Sequence, residues 1–224
     1  MSTTDLHDKL KSLIETNAHT EKDCRAFLKH ARSLLINFTS ETFVEDAEEY
    51  RGNAGDSDYL IVTRTKNEAG IEKNVAYLWE AKAPQLALFE ADTNNRVRPT
   101  KDFISAENQL LHYYDDSVGS EQFRKRFGLV GTDDVKMGGL IIGCQKTLVH
   151  GGDYKERDRM MLYNRALEVR KNYLYRALGI KVLLWDFHIL AHLKPLQPVT
   201  PPLQSGAQAP ISIQSFKGTI VSSS

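Results

Sequence analysis

Three short segments of this 224-residue chain carry side chains that could do chemistry together: GDSDYLIV at 55–62, WEAKAP at 79–84 and AENQLLHYY at 106–114. Glu80 and Lys82 lie two apart on a run that reads as a strand, so their side chains share one face, and Trp79 and Ala81 take the other. A hairpin centred on Ala69 sets Asp58 opposite Glu80 and Asp56 opposite Lys82, with facing Cβ atoms about 4.5–5.5 Å apart. Two facing carboxylates repel unless a cation lies between them. Oxygen donors of this kind suit Mg²⁺, which takes one or two carboxylates, keeps several waters and shares its shell with a phosphate. Lys82 beside them could orient or deprotonate an attacking water, or stabilise charge on phosphoryl oxygens. A bare Glu-x-Lys is weak evidence by itself. Asp134-Val135-Lys136 has the same spacing, but no upstream strand offers it an opposed acid. The competing reading is an ordinary surface hairpin with cross-strand ion pairs such as Asp56–Lys82.

Other patterns do not hold. In GGLIIGCQKT, Cys144 stands where a phosphate loop needs lysine, and Lys146 comes two places late. His188 and His192 are spaced like zinc ligands on a helix, yet HILAH lacks the glutamate and a third ligand. Asp115-Asp116 and Asp133-Asp134 read as caps and terminators. Cys24 and Cys144 form neither a metal pair nor a disulfide framework.

The reactive segments need a scaffold, and hydrophobic periodicity supplies one. Residues 5–16 and 21–37 read as helices, the second with Thr20 as N-cap and Phe27, Ala31, Leu34 and Leu35 at helical spacing. A short strand is expected around Thr42–Glu49. DYLIVTRT (58–65) and NVAYLWEAK (74–82) form a hairpin, and a helix near 100–116 is followed by a short amphipathic piece at 120–127. GGLIIGC (138–144) reads as a buried strand, 155–178 as a long helix stopped by Gly179, and IKVLLWDF (180–187) as a second buried strand. This order predicts an α/β fold with a central mixed β-sheet flanked by helices. The expected divisions are a helical segment at 1–38, the main domain at 39–194, and a Pro- and Ser-rich tail at 195–224 that is expected to be mostly disordered.

Composition narrows the function classes. The chain is 41% hydrophobic and 26% charged, enough to bury a core. It has no apolar run of membrane-spanning length and an acidic N-terminus unlike a secretory signal, so a cytoplasmic protein without membrane contact is expected. With 29 basic and 29 acidic side chains it cannot coat nucleic acid by bulk charge. Contact with nucleic acid would fall to a local patch, and the candidate is Arg157, Arg159, Arg165, Arg170, Lys171 and Arg176, which otherwise reads as a solvated helix face.

The arrangement resembles the PD-(D/E)xK nuclease superfamily at Asp58, Glu80-Ala81-Lys82 and Gln109. More narrowly it resembles the Shedu nuclease domain of bacterial antiphage defence, through DYLIV, Glu-Ala-Lys-Ala-Pro, the Ala-x-x-Gln-Leu-x-x-Tyr pattern from Ala106 to Tyr113, GGLIIG, the helix at 155–178 and LLWDF. The likeness covers about residues 40–190. It implies a restriction-endonuclease-like α/β/α core and metal-dependent hydrolysis of DNA phosphodiesters. In that reading Asp58, Glu80 and the Ala81 carbonyl hold Mg²⁺ or Mn²⁺. Lys82 positions the nucleophile, and Gln109, supported by Tyr113, holds Lys82 or the water. Glu48 and Glu49 are upstream acids of the kind that some superfamily members use, and are not assigned. The resemblance also implies a homo-oligomer. The alternatives are a catalytically silent nuclease-fold module that binds nucleic acid or a protein, and a sequence-specific restriction-type enzyme.

Overall fold

The computed structural model describes residues 3–16, 18, 20–36, 40–52, 55–66, 69–91, 96–151 and 155–194. The tail expected at 195–224 lies outside the described residues. The chain opens with α1 (Thr3–Glu15), α2 (Glu21–Arg25) and α3 (Arg32–Leu35), then β1 (Glu41–Gly52), β2 (Gly55–Lys66) and β3 (Glu72–Ala81). Two short strands, β4 (Phe89–Ala91) and β5 (Val97–Pro99), precede α4 (Lys101–Gly119) and α5 (Glu121–Phe127). The rest is β6 (Val135–Ile141), β7 (Val149–His150), α6 (Glu156–Arg170), α7 (Arg176–Leu178) and β8 (Lys181–Leu183).

Five strands form the main sheet in the order β1-β2-β3-β6-β8. β1, β2 and β3 are antiparallel neighbours, whereas β3, β6 and β8 run parallel. Helices α4 and α5 bridge β3 to β6, and α6 with α7 bridges β6 to β8, as parallel neighbours require. The mixed α/β sheet flanked by helices is therefore the one the sequence predicts.

Alternation along the strands builds two cores. Leu60, Val62, Ala76 and Leu78 meet Phe103, Ala106 and Leu110 of α4, Phe123 and Phe127 of α5, and Tyr163 and Leu167 of α6. On the opposite face Tyr59, Ile61, Trp79 and Ala81 meet Leu10, Cys24, Phe27, Leu28, Ala31 and Leu35, together with Trp185 and Ile189. Trp79 and Ala81 thus pack on helices, as their position opposite Glu80 and Lys82 requires.

Several elements differ from expectation. The helix expected at 21–37 is broken into α2, a 3₁₀ turn at Leu28–His30 and α3. Thr20 does not cap it through its side chain; its hydroxyl donates instead to the Leu13 carbonyl at 3.3 Å. β1 runs twelve residues rather than a short stretch, because it pairs with β2 along its length. The long helix at 155–178 is interrupted by a π turn at Lys171–Tyr175, where the Tyr175 hydroxyl donates to Glu107 of α4. Gly179, at φ +71, ends it as expected. β8 covers three residues of the strand expected at 180–187, and Trp185–Leu190 is helical. Where the chain leaves the sheet, the Trp185 indole N–H donates to the Lys82 carbonyl at 2.6 Å.

Candidate active site

The site lies where β3 outruns its antiparallel partner. The β2–β3 ladder has the register of a hairpin centred on Ala69 and closes at Tyr59 opposite Trp79. Beyond that pair, Glu80 and Ala81 pair with Leu140 and Ile141 of β6, and the Lys82 N–H donates to the Ile141 carbonyl at 2.8 Å. Asp56 pairs with Arg51 of β1, and the β2–β3 ladder does not extend to Asp56 and Lys82. Asp58 reaches β3 by its side chain: the Ala81 N–H donates to Asp58 Oδ2 at 3.0 Å. A carboxylate thus serves the strand amide where the ladder has ended.

Asp58, Glu80 and Lys82 come together. Lys82 Nζ lies 2.6 Å from Glu80 Oε1, and the Asp58 and Glu80 carboxyls are close enough to hydrogen-bond. Glu80 is 1% exposed and Asp58 8%, so this is no surface hairpin. Glu80 Oε2 is buried with no hydrogen-bond partner among the described residues. Burial, then the charge of Asp58, pushes the Glu80 carboxyl up to about 8. Burial alone would lower the Lys82 ammonium, but the carboxylates of Glu80, Glu21 and Asp58 together raise it. Near neutral pH the site therefore holds a charged lysine against a Glu80 carboxyl that is slow to give up its proton.

Three further residues meet here that sequence reasoning did not assign. Arg25 of α2, itself buried, donates through Nη1 to Asp58 Oδ1 and through Nη2 to Glu49 Oε1 at 2.6 Å. Glu49, one of the two upstream acids, sits at φ +50, a strained value for a residue with a side chain. Glu21, at the start of α2, is half-buried, accepts the Ala83 N–H and lies within electrostatic range of Lys82, Asp58 and Arg25; burial raises its carboxyl. Gln85, just past the site, donates to the carbonyls of Leu13 at 3.0 Å and Thr16 at 3.2 Å. It satisfies the end of α1 and ties that helix to the loop after Lys82.

Gln109 lies on α4 with a buried Oε1 that lacks a partner among the described residues. Nor does any hydrogen bond there join its side chain to Asp58, Glu80 or Lys82. It lines a cavity of about 630 Å³ along α4 with Ile104, Asn108, His112 and Tyr113. Of the basic patch, Arg170 is taken up by Glu107 and Tyr175, and Arg159 donates to the Val149 carbonyl, leaving Arg157, Arg165, Lys171 and Arg176 exposed. Asp134 accepts the N–H groups of Val130 and Gly131 and pairs with Lys73 at 2.6 Å, a cap as expected. His188 accepts the Leu184 N–H and His192 bonds Ser33.

The donor set suits a hard divalent cation. Asp58 and Glu80 offer carboxylate oxygens, and Glu80 Oε2 has no hydrogen-bond partner among the described residues although Lys82 holds Oε1. Among the described residues no three His, Cys, Asp or Glu side chains converge on one point, so a cation here would keep much of its water. No helix among the described residues is long and apolar enough to cross a membrane.

Comparison with known proteins gives one match: the model of the family described as Shedu protein SduA, C-terminal, aligns with residues 18–186. No curated protein and no solved structure matches the chain.

Proposed function

Because the chain belongs to the Shedu SduA C-terminal family, which ties it to Shedu antiphage defence, we propose that it is a PD-(D/E)xK-type endonuclease that hydrolyses DNA phosphodiester bonds with Mg²⁺ or Mn²⁺. The observation that carries this reading is the buried Asp58–Glu80 pair, with Glu80 Oε2 unpartnered and Lys82 against Oε1. Asp58, Glu80 and the Ala81 carbonyl would hold the cation. Such an ion lowers the pKa of bound water and stabilises charge on the phosphate as a Lewis acid. Lys82 remains an ammonium, so its part is to orient the attacking water and to stabilise the developing phosphoryl charge, not to remove a proton. Trp185, bonded to the Lys82 carbonyl, fixes the backbone from which that side chain works. Gln109 brings a neutral amide from α4 to steady Lys82 or the water when substrate is bound. The working form is a homo-oligomer, which presents one site to each strand of a duplex.

Plasmid and linear DNA incubated with and without Mg²⁺ test the reading, with the parent chain set against Lys82→Ala. Cleavage should require the divalent ion and fall by orders of magnitude in the variant while its circular dichroism is unchanged. Equal cutting by the variant would remove Lys82 from the chemistry. Salt-sensitive binding without metal-dependent cleavage would identify a silent binding module instead.

A further inference from the structure

Arg25 takes no part in the hydrolytic reading, yet it is the group most deeply inserted among the acids of the site. Its guanidinium bridges Asp58 Oδ1 and Glu49 Oε1, and the Ala81 N–H occupies Asp58 Oδ2. Both oxygens of a carboxylate assigned to the cation are therefore already engaged, one of them by a fixed positive charge. The surroundings are nevertheless short of positive charge. Four acids, Glu21, Glu49, Asp58 and Glu80, gather around two bases, Arg25 and Lys82, so the acids outnumber the bases. Glu49 adds a second feature: its backbone is held at φ +50, and its carboxylate accepts from the guanidinium nitrogen that Asp58 does not use.

We propose that Arg25 is a resident counter-ion with two positions. It neutralises Asp58 while the site is empty, and it withdraws onto Glu49 when a divalent cation takes Asp58. Arg25 thereby sets the cation affinity of the site, and Glu49 is the berth that lets it leave. This rests on the assignment of Asp58 and Glu80 as cation ligands. Arg25 is a positioning residue, since it acts through Asp58 and not on the reacting atoms. α2, which carries it, is a five-residue helix, so the motion the proposal asks for is confined to one short element.

Calorimetric titration of the full chain with Mn²⁺, without DNA, tests the proposal. Arg25→Gln should bind Mn²⁺ at least tenfold more tightly than the parent. Arg25→Lys retains the charge but loses the fork that spans both carboxylates, and should fall between them. Glu49→Gln removes the berth and should bind at least threefold more weakly. Its side chain is 42% exposed, so that variant is expected to fold. An Arg25→Gln affinity equal to or weaker than the parent's would overturn the proposal, and would show that Arg25 orients Asp58 for the cation. If Arg25→Gln does not fold, Arg25→Lys and Glu49→Gln must fall on opposite sides of the parent, and any other order overturns it. A parent chain that binds no Mn²⁺ would refute the cation-site assignment, and the proposal with it.

Discussion

At the scale of single residues, Glu80 has the most to lose when no cation is present. Its carboxyl titrates near 8 in the folded chain against an ordinary value of 4.5, so between those pH values the folded state holds a proton that the unfolded state has released. Stability contributed by that proton is complete below about 4.5 and is lost as the pH rises through about 8. At about 1.4 kcal/mol for each pH unit that separates the two, the loss is on the order of a few kcal/mol. Melting curves in EDTA from pH 5 to 9 should therefore show a fall for the parent that Glu80→Gln lacks. Excess Mg²⁺ should flatten the parent's curve, because the ion replaces the proton. A variant whose curve falls as steeply as the parent's would move that titration to another group. Asp58, Glu80 and Lys82 were legible in the sequence because strand alternation and the hairpin register fix their relation locally. Arg25, Glu21 and Glu49 were not. They reach the site by tertiary folding, and the polar run that holds Arg25 has no period that would single it out.

At the scale of elements, the parallel join of β3 to β6 decides where the site stands. The register slips between Leu78 opposite Met137 and Trp79 opposite Gly139, leaving Gly138 as an extra residue. A Cβ at Gly138 would lie 2.3 Å from the Trp79 indole nitrogen, and one at Gly139, where φ is +151, would lie 2.0 Å from the Lys181 carbonyl oxygen. Both neighbours are fixed, one a buried ring and the other backbone. Gly139→Ala should thus cost on the order of 2–4 kcal/mol, lowering the melting temperature by roughly 5–15 °C. A loss of under about 2 °C would show that β6 and β8 can separate freely. The apolar run GGLIIGC announced a buried strand in the sequence, but the slip was invisible there because it depends on Trp79, a residue far away in the chain. The helix expected at 21–37 failed for a related reason. Its apolar spacing is helical, yet the short turns let Leu28, Ala31 and Leu35 each face the sheet.

At the scale of the whole molecule, helices α1, α2 and α3 form a layer of the fold rather than an appendage. Leu10, Cys24, Phe27, Leu28, Ala31 and Leu35 cover the sheet face made by Tyr59, Ile61, Trp79 and Ala81. A chain cut to residues 39–194 should lack a cooperative thermal transition, because an apolar sheet face of that size does not tolerate water. A sharp melt within a few degrees of the parent's would show that the sheet and α4–α7 suffice. That layer also contains a thiol with a use of its own. Cys24 is the residue before Arg25, fully enclosed, and burial pushes its thiol up to about 11, so alkylating reagents meet an almost unreactive group. Cys144, also buried, offers an internal standard. Any rotation of α2 that frees Arg25 carries Cys24 with it, so its alkylation rate should rise when Mn²⁺ is added while that of Cys144 does not change. The native chain thus carries its own clock, and the opening of the site can be timed without a label attached to it.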